Sequence, residues 1–259
     1  MKIVLTSAPV LTEHNSYKAV NRLISKNSAY TSPQIGTLTV ATLFQKANWT
    51  VQVINIDGEY ERYLKNGKNS QEFCEYFSIF LSKQDSEHFG FSTICSSYYI
   101  TLSIAENLKK INRNYKIILG GPQASATAYN TLKKCGFIDY ILSGEVESSI
   151  EIFTKKYKTN PKVVPNLIWR DNDKIVQNEP AKLINIESIP IPAYELWDTT
   201  STKVIHIEGG RGCPFSCKFC STNIYFGQKY RLKKPSKLVE EALNVVKHYN
   251  VEHITYVHD

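Results

Sequence analysis

The chain has 259 residues, 42% hydrophobic and 12% aromatic, with a formal net charge of +7. That length and apolar content suffice for one large core or two ordinary ones, which excludes a disordered chain. The positive charge is scattered through helical segments apart from the short run Lys229 to Lys234, so it reads as a solvated basic face; an anionic substrate or tRNA is left open, and nucleic acid is not the expected partner.

The N-terminus, MKIVLTSAPV, lacks the longer apolar run and small-residue cleavage site of a signal peptide. No window approaches the roughly 18 consecutive apolar residues of a membrane span, so a cytoplasmic protein without membrane contact is expected. Short apolar, β-branched runs then recur at Lys2–Thr6, Thr50–Ile56, His88–Ile94, Lys116–Leu119 and Ile138–Leu142. Between them, helical periods fall at about 34–47, 70–83, 98–112, 124–134 and 146–157. This alternation over residues 1–157 predicts an α/β fold, a parallel sheet with helices on both faces in the flavodoxin-like order 2-1-3-4-5.

Ligands of such sheets bind at the carboxyl ends of the strands. There the sequence offers small residues: Ser7 after the first strand, Ser92, Thr93 and Ser96 after the third, Gly120, Gly121, Pro122 and Gln123 after the fourth, Gly144 and Glu145 after the fifth. Glycine at a strand-to-helix turn is commonly turn chemistry alone, but here several such loops share one edge, where a backbone can come close to a bulky ligand.

Residues 158–202 lose the alternation. Asn166 to Arg170 and Lys174 to Gln177, around a turn at Asp171-Asn172-Asp173, read as a β-hairpin. Ile189-Pro190-Ile191-Pro192 must be extended, because each proline keeps its predecessor out of the helical region. A domain boundary is expected here.

From 203 onward, Lys203–Glu208 is a predicted strand, Gly209-Gly210-Arg211-Gly212 a predicted flexible turn, and Cys213, Cys217 and Cys220 follow in C-x3-C-x2-C spacing. Three thiolates on one short loop can take three corners of a [4Fe–4S] cluster, leaving the fourth iron open for a chelating ligand. A zinc site would need a fourth ligand, for which His248, His253 and His258 are available. Six cysteines with three gathered in this way do not make a secreted disulfide framework. Cys74, Cys95 and Cys135 are expected to be small buried apolar residues. Ser236 is the expected N-cap of a helix to about Tyr249, before a strand over His253–Val257.

The stretches IGTLTVATLFQKANWTVQVINID, FGFSTICSS, IILGGPQAS and IDYILSGEVES, followed by CPFSCKFC, resemble the cobalamin-binding domain joined to a radical S-adenosylmethionine domain. The resemblance implies a Rossmann-like cobalamin domain over 1–157, a linker over 158–202, and over 203–259 the beginning of a (β/α) barrel that carries the cluster and S-adenosylmethionine, with Phe219 beside the adenine. It implies that the strand-exit residues named above contact cobalamin, with no protein histidine on cobalt: the Asp-x-His-x-x-Gly motif is missing, since in Asp85-Ser-Glu-His88-Phe-Gly90 the histidine stands one position late. It also implies reductive cleavage of S-adenosylmethionine to a 5′-deoxyadenosyl radical, an electron donor such as flavodoxin or ferredoxin, and C-methylation of a peptide or small natural product. Later barrel motifs have no counterpart, and Asp259 stands where an acidic residue often ends the second strand. A truncated or split protein completed by a second chain, a non-catalytic remnant, and a tRNA methylthiotransferase are the alternatives.

Overall fold

The structure, a computed structural model, describes residues 1–9, 33–197 and 204–258. The first half is built from β1 (Lys2–Thr6), α1 (Ile35–Lys46), β2 (Thr50–Ile54), α2 (Ile56–Lys65), α3 (Phe73–Ser82), β3 (His88–Ser92), α4 (Tyr98–Ile111), β4 (Lys116–Gly120), α5 (Pro122–Lys134), β5 (Tyr140–Leu142) and α6 (Ile150–Lys156). Strands β1 to β5 are parallel in the order 2-1-3-4-5, as the sequence predicts. The hairpin of β6 (Leu167–Asp171) and β7 (Lys174–Gln177) adds two antiparallel strands beyond β5 and completes a seven-stranded sheet. Asn172 makes its turn at φ 53.

Both faces of the sheet are covered, so its central strands β1, β3 and β4 are buried along most of their length rather than on alternate residues. Ile3 and Leu5 pack with Phe44 of α1 and Phe153 of α6 on one face. Val4, Phe89, Ile117 and Leu119 pack with Phe77, Ile104 and Leu132 on the other. Full burial of each such side chain contributes roughly 1.5–3 kcal/mol.

Strands β8 (Val204–Arg211), β9 (Arg231–Leu232) and β10 (His253–His258) form a second sheet, in which β8 is flanked by parallel β10 and antiparallel β9. Helices α7 (Thr222–Phe226) and α8 (Pro235–His248) accompany it. Leu38 of α1, Tyr194, Trp197, Ile205 of β8 and Val245 of α8 make one buried cluster that joins the two halves. The Tyr194 hydroxyl donates to the His206 carbonyl at 2.7 Å, and Thr42 Oγ1 donates to the Ile191 carbonyl of the Pro-Ile-Pro connector at 3.1 Å. Among the described residues β10 pairs only with β8, and Val239, Leu243 and Val246 of α8 are exposed.

The structure corrects four expectations. Only one helix is predicted between the second and third strands, but α2 begins directly at Ile56, because the Asn55 side chain accepts from Asp57 N and Gly58 N and so ends the strand and caps a helix. Gly209, Gly210 and Arg211 are strand rather than flexible turn; a Cβ on Gly210 would stand 2.9 Å from the Arg231 carbonyl, and its absence lets β9 pair there. Ser236 does not cap α8: Pro235 occupies the first helical position after Lys234. Cys95 is exposed rather than buried, in a turn before α4. Lys203 and Asp259 lie outside the described residues.

Candidate functional site

A cavity of about 550 Å³ opens between the carboxyl edge of the large sheet and the small one. The large sheet contributes Thr6, Ser92, Gly120 and Gly121 from the strand ends, Gly144 and Glu145 after β5, and the first turn of α1 with Gly36 and Thr37. From the other side come His206, Glu208 and Arg211 of β8, Tyr225 and Phe226 of α7, and Val257 and His258 of β10. The backbone at Gly121 sits at φ +93, and a Cβ there would stand 2.7 Å from the Thr93 carbonyl, so this edge tolerates no side chain. Gly144, at φ +70, faces open space.

Polar groups in the wall are held by a buried ion network that crosses between the halves. Arg211 Nη1 lies 2.6 Å from Glu147 Oε1 and 3.4 Å from Glu145 Oε2, and its Nε lies 2.7 Å from Glu208 Oε1. Arg231 Nη1 donates to Glu145 Oε2 at 3.0 Å, and its Nη2 pairs with Glu145 Oε1. Burial works to lower the Arg211 pKa, but Glu147 and Glu208 beside it outweigh that and raise it, so the guanidinium stays charged. Burial lowers the pKa of His206 and favours a neutral imidazole. Thr6 Oγ1, Thr37 Oγ1, Glu147 Oε2 and Glu208 Oε2 are buried and make no hydrogen bond with any described residue.

Six of the strand-exit residues singled out from the sequence line this cavity: Ser92, Gly120, Gly121, Pro122, Gly144 and Glu145. Four do not. The Ser7 hydroxyl accepts from Ile56 N at 3.1 Å, inside the protein. Thr93 Oγ1 donates to the Gly120 carbonyl at 2.7 Å and accepts from Ala124 N at 2.9 Å, which locks the Gly-Gly turn. Ser96 is exposed in the turn before α4, and Gln123 N donates to the Thr93 carbonyl at 3.4 Å. Glu145 lines the wall as a strut, since both of its oxygens are taken by Arg231. His88 opens β3 at the amino edge of the sheet, the far end from the cavity, and cannot act within it. Glu147, His206, Glu208 and Arg211 were not picked out; the alternation His206-Ile207-Glu208, with Ile205 and Ile207 buried, was the available signal that 206 and 208 share the opposite face.

Cys213, Cys217 and Cys220 lie on the loop between β8 and α7, with Cys217 exposed and the other two half-buried. Cys220 N donates to the Cys217 carbonyl at 3.1 Å, so the last two share a turn. Among the described residues no three His, Cys, Asp or Glu side chains stand together as a metal site, and no cysteine is in a disulfide. Three thiols within eight residues nonetheless form a donor set suited to an iron–sulfur cluster. Phe215 and Phe219 of the same loop are 70% and 94% exposed, so Phe219 packs under nothing described.

The family model of the B12 binding domain matches residues 21–154. The chain belongs to the B12 binding domain family. An uncharacterized methyltransferase of Pyrococcus horikoshii is 27% identical over 100% of this chain and 53% of its own length. The anaerobic magnesium-protoporphyrin IX monomethyl ester cyclase of Cereibacter sphaeroides is 27% identical over 62% of this chain and 28% of its own. The hopanoid C-2 methylase of Rhodopseudomonas palustris is 28% identical over 48% of this chain and 21% of its own. The radical S-adenosylmethionine methyltransferase TsrM of Kitasatospora setae, solved with cobalamin and a [4Fe–4S] cluster bound, superposes with a TM-score of 0.64 at 11% identity over 100% of this chain and 47% of that one. The chain thus spans about half the length of that methyltransferase and of TsrM. The family match bears out the cobalamin-binding domain read from the sequence, and the likeness to TsrM extends its fold over both halves of the chain. Among the described residues no helix is long and apolar enough to cross a membrane.

Proposed function

We propose that this chain binds cobalamin in the cavity between its two sheets and holds a [4Fe–4S] cluster on Cys213, Cys217 and Cys220, for methylation at carbon of a peptide or small natural product. The observation that carries the reading is the cavity: the carboxyl edge of a B12-binding sheet faces the start of the cysteine-bearing strand–loop–helix across one space, so two cofactors held by the two halves would meet there. The lining fits a bulky ligand, because glycine backbone forms one edge of the cavity and no side chain at Gly121 or Gly144 stands in its way. When bound, the cluster supplies the electron that cleaves S-adenosylmethionine, and the corrinoid carries the methyl group.

The protein's own part is placement. Thr93 fixes the Gly120-Gly121 turn so that the backbone forms the floor of the site. Arg211, two residues before Cys213, is clamped by carboxylates of both halves, which sets the cysteine loop against the sheet edge. Apolar lining from Phe91, Leu142 and Phe226 keeps water from the space where a reactive carbon centre would form. Phe219 is the candidate for stacking on the adenine of S-adenosylmethionine.

The test is anaerobic reconstitution of the chain with iron, sulfide and hydroxocobalamin, followed by desalting. The expected result is about one corrinoid by visible absorbance and about four irons per chain, with the iron lost in Cys217→Ala and the corrinoid retained. Zinc in place of iron, or no corrinoid after desalting, would overturn the reading.

A further inference from the structure

We propose that Glu145 is a positioning residue for the cysteine loop: a carboxylate of the B12-binding half holds the neck of the loop that carries Cys213, Cys217 and Cys220, and so sets how firmly that loop keeps a cluster. The inference rests on the cluster reading above and adds to it a dependence on the other half of the protein.

The loop, residues 212–230, leaves the small sheet at Arg211 and returns to it at Arg231, and these two residues are partners in the antiparallel pairing of β8 with β9. The limbs beyond that pair stay close. Cys213 N donates to the Gly227 carbonyl at 3.4 Å. Gly212 sits at φ +87, where a Cβ would stand 3.0 Å from the Gly227 carbonyl and closer still to that of Lys229. The neck therefore sets two guanidiniums side by side on neighbouring strands, and like charges so placed repel unless a counter-charge lies between them.

Glu145 supplies that charge from outside the loop. It lies after β5, within the matched B12 binding domain. Its Oε2 is 3.0 Å from Arg231 Nη1 and 3.4 Å from Arg211 Nη1, and its Oε1 pairs with Arg231 Nη2. The side chain is 5% exposed, so it is spent on the arginines rather than offered to a ligand. Arg211 has Glu147 and Glu208 besides, but among the described residues no other carboxylate pairs with Arg231. Arg231 passes the constraint on to the loop. Its Nη2 donates to the Phe226 carbonyl at 2.9 Å and its Nη1 to the Ile184 carbonyl of the connector at 3.0 Å. The Phe226 ring in turn lies 5.5 Å from the Arg211 guanidinium. Phe226 closes α7, the helix that opens at Thr222, just past Cys220.

A loop that gathers three thiols onto one cluster holds it more tightly the less freedom its limbs have beforehand. Without the Glu145 charge, Arg231 keeps only carbonyl partners, and a buried cation so placed is strongly disfavoured. The neck then opens toward water and the limbs of the loop separate.

The experiment follows release of iron to ferrozine from the dithionite-reduced chain, reconstituted anaerobically with iron and sulfide, at a temperature where circular dichroism shows every variant folded. In a double-mutant cycle, Glu145→Gln and Arg231→Gln are each expected to release iron about tenfold faster than wild type, and the double variant no faster than either, because both break one contact. Where a glutamine variant fails to fold, Glu145→Asp or Arg231→Lys replaces it, each keeping the charge but not the two-pronged contact. His88→Gln, which weakens the same half at the sheet edge far from the loop, is expected to release iron at the wild-type rate. The EPR spectrum of the reduced cluster reports cysteine geometry rather than stability, and is expected to change in Glu145→Gln and not in His88→Gln. Wild-type release or a wild-type spectrum in Glu145→Gln, effects that multiply in the double variant, or equal acceleration by His88→Gln overturns this inference and leaves the cluster reading standing. A wild-type chain that retains no iron overturns both.

Discussion

His88 shows how one residue can invite a functional reading and carry a structural role. Its imidazole Nε2 lies 2.6 Å from the Tyr157 hydroxyl, under the Trp49 ring, at the amino edge of the sheet. Burial, with Lys158 nearby, lowers its pKa from 6.5 to about 4, so it is neutral in the folded protein. The unfolded chain takes up a proton below pH 6.5 that the native state refuses. The His88 contribution to stability is therefore complete above pH 6.5 and is lost as pH falls toward 4. Urea unfolding of the wild-type chain at pH 7 and pH 4.5 is expected to show a loss, of which on the order of 2 kcal/mol disappears in His88→Gln. An identical pH dependence in the variant would show that other groups carry it. At this scale the sequence was legible wherever a residue acts through its own backbone, as Gly120, Gly121 and Gly144 do at their strand ends. It was illegible for Glu147 and Glu208, whose meaning comes from Arg211 reaching them from 64 and from 3 positions away in the chain.

The large sheet was read nearly whole because its elements state themselves locally: apolar runs of strand length, broken by helical periods. The errors fall where a single side chain or a distant neighbour decides. Asn55 ends β2 two residues before the apolar run ends and caps α2, and Gly210 joins a strand because β9 and β10 pair with it from either side. Strand β9 itself is two residues long and is held from outside by Lys233, which follows it. Lys233 Nζ donates to both oxygens of Glu241 on α8 at 2.9 and 3.0 Å, and both side chains are 2% exposed. Burial works to raise the Glu241 pKa, and Lys233 opposes it. Removing one member leaves a buried charge alone, so Lys233→Met should destabilise the chain by about 3–5 kcal/mol in urea unfolding. The double variant Lys233→Met, Glu241→Leu should recover most of that loss, because an apolar pair of similar volume meets no desolvation cost. If the double variant is as unstable as the single one, the pair positions β9 against α8 in a way that hydrophobic packing cannot replace.

The two halves form one body through the cluster of Leu38, Tyr194, Trp197, Ile205 and Val245 and through the Arg211 network, and the cavity lies between these two attachments. A ligand seated there binds only when both halves are folded and docked. Its binding free energy must then appear as stability of the whole, about 2.7 kcal/mol at a ligand concentration a hundred times Kd. For a chain of this size that corresponds to a rise of about 5–10 °C in thermal midpoint with hydroxocobalamin. A site confined to the large sheet would give a similar shift, so the midpoint alone cannot locate the ligand. Amide hydrogen exchange can. Corrinoid in the shared cavity should slow exchange at the ends of β3 and β4 and in β8 together, to a similar degree. Protection restricted to the large sheet, with β8 exchanging as in the unliganded chain, would place the ligand away from Arg211 and overturn a site shared by the two halves.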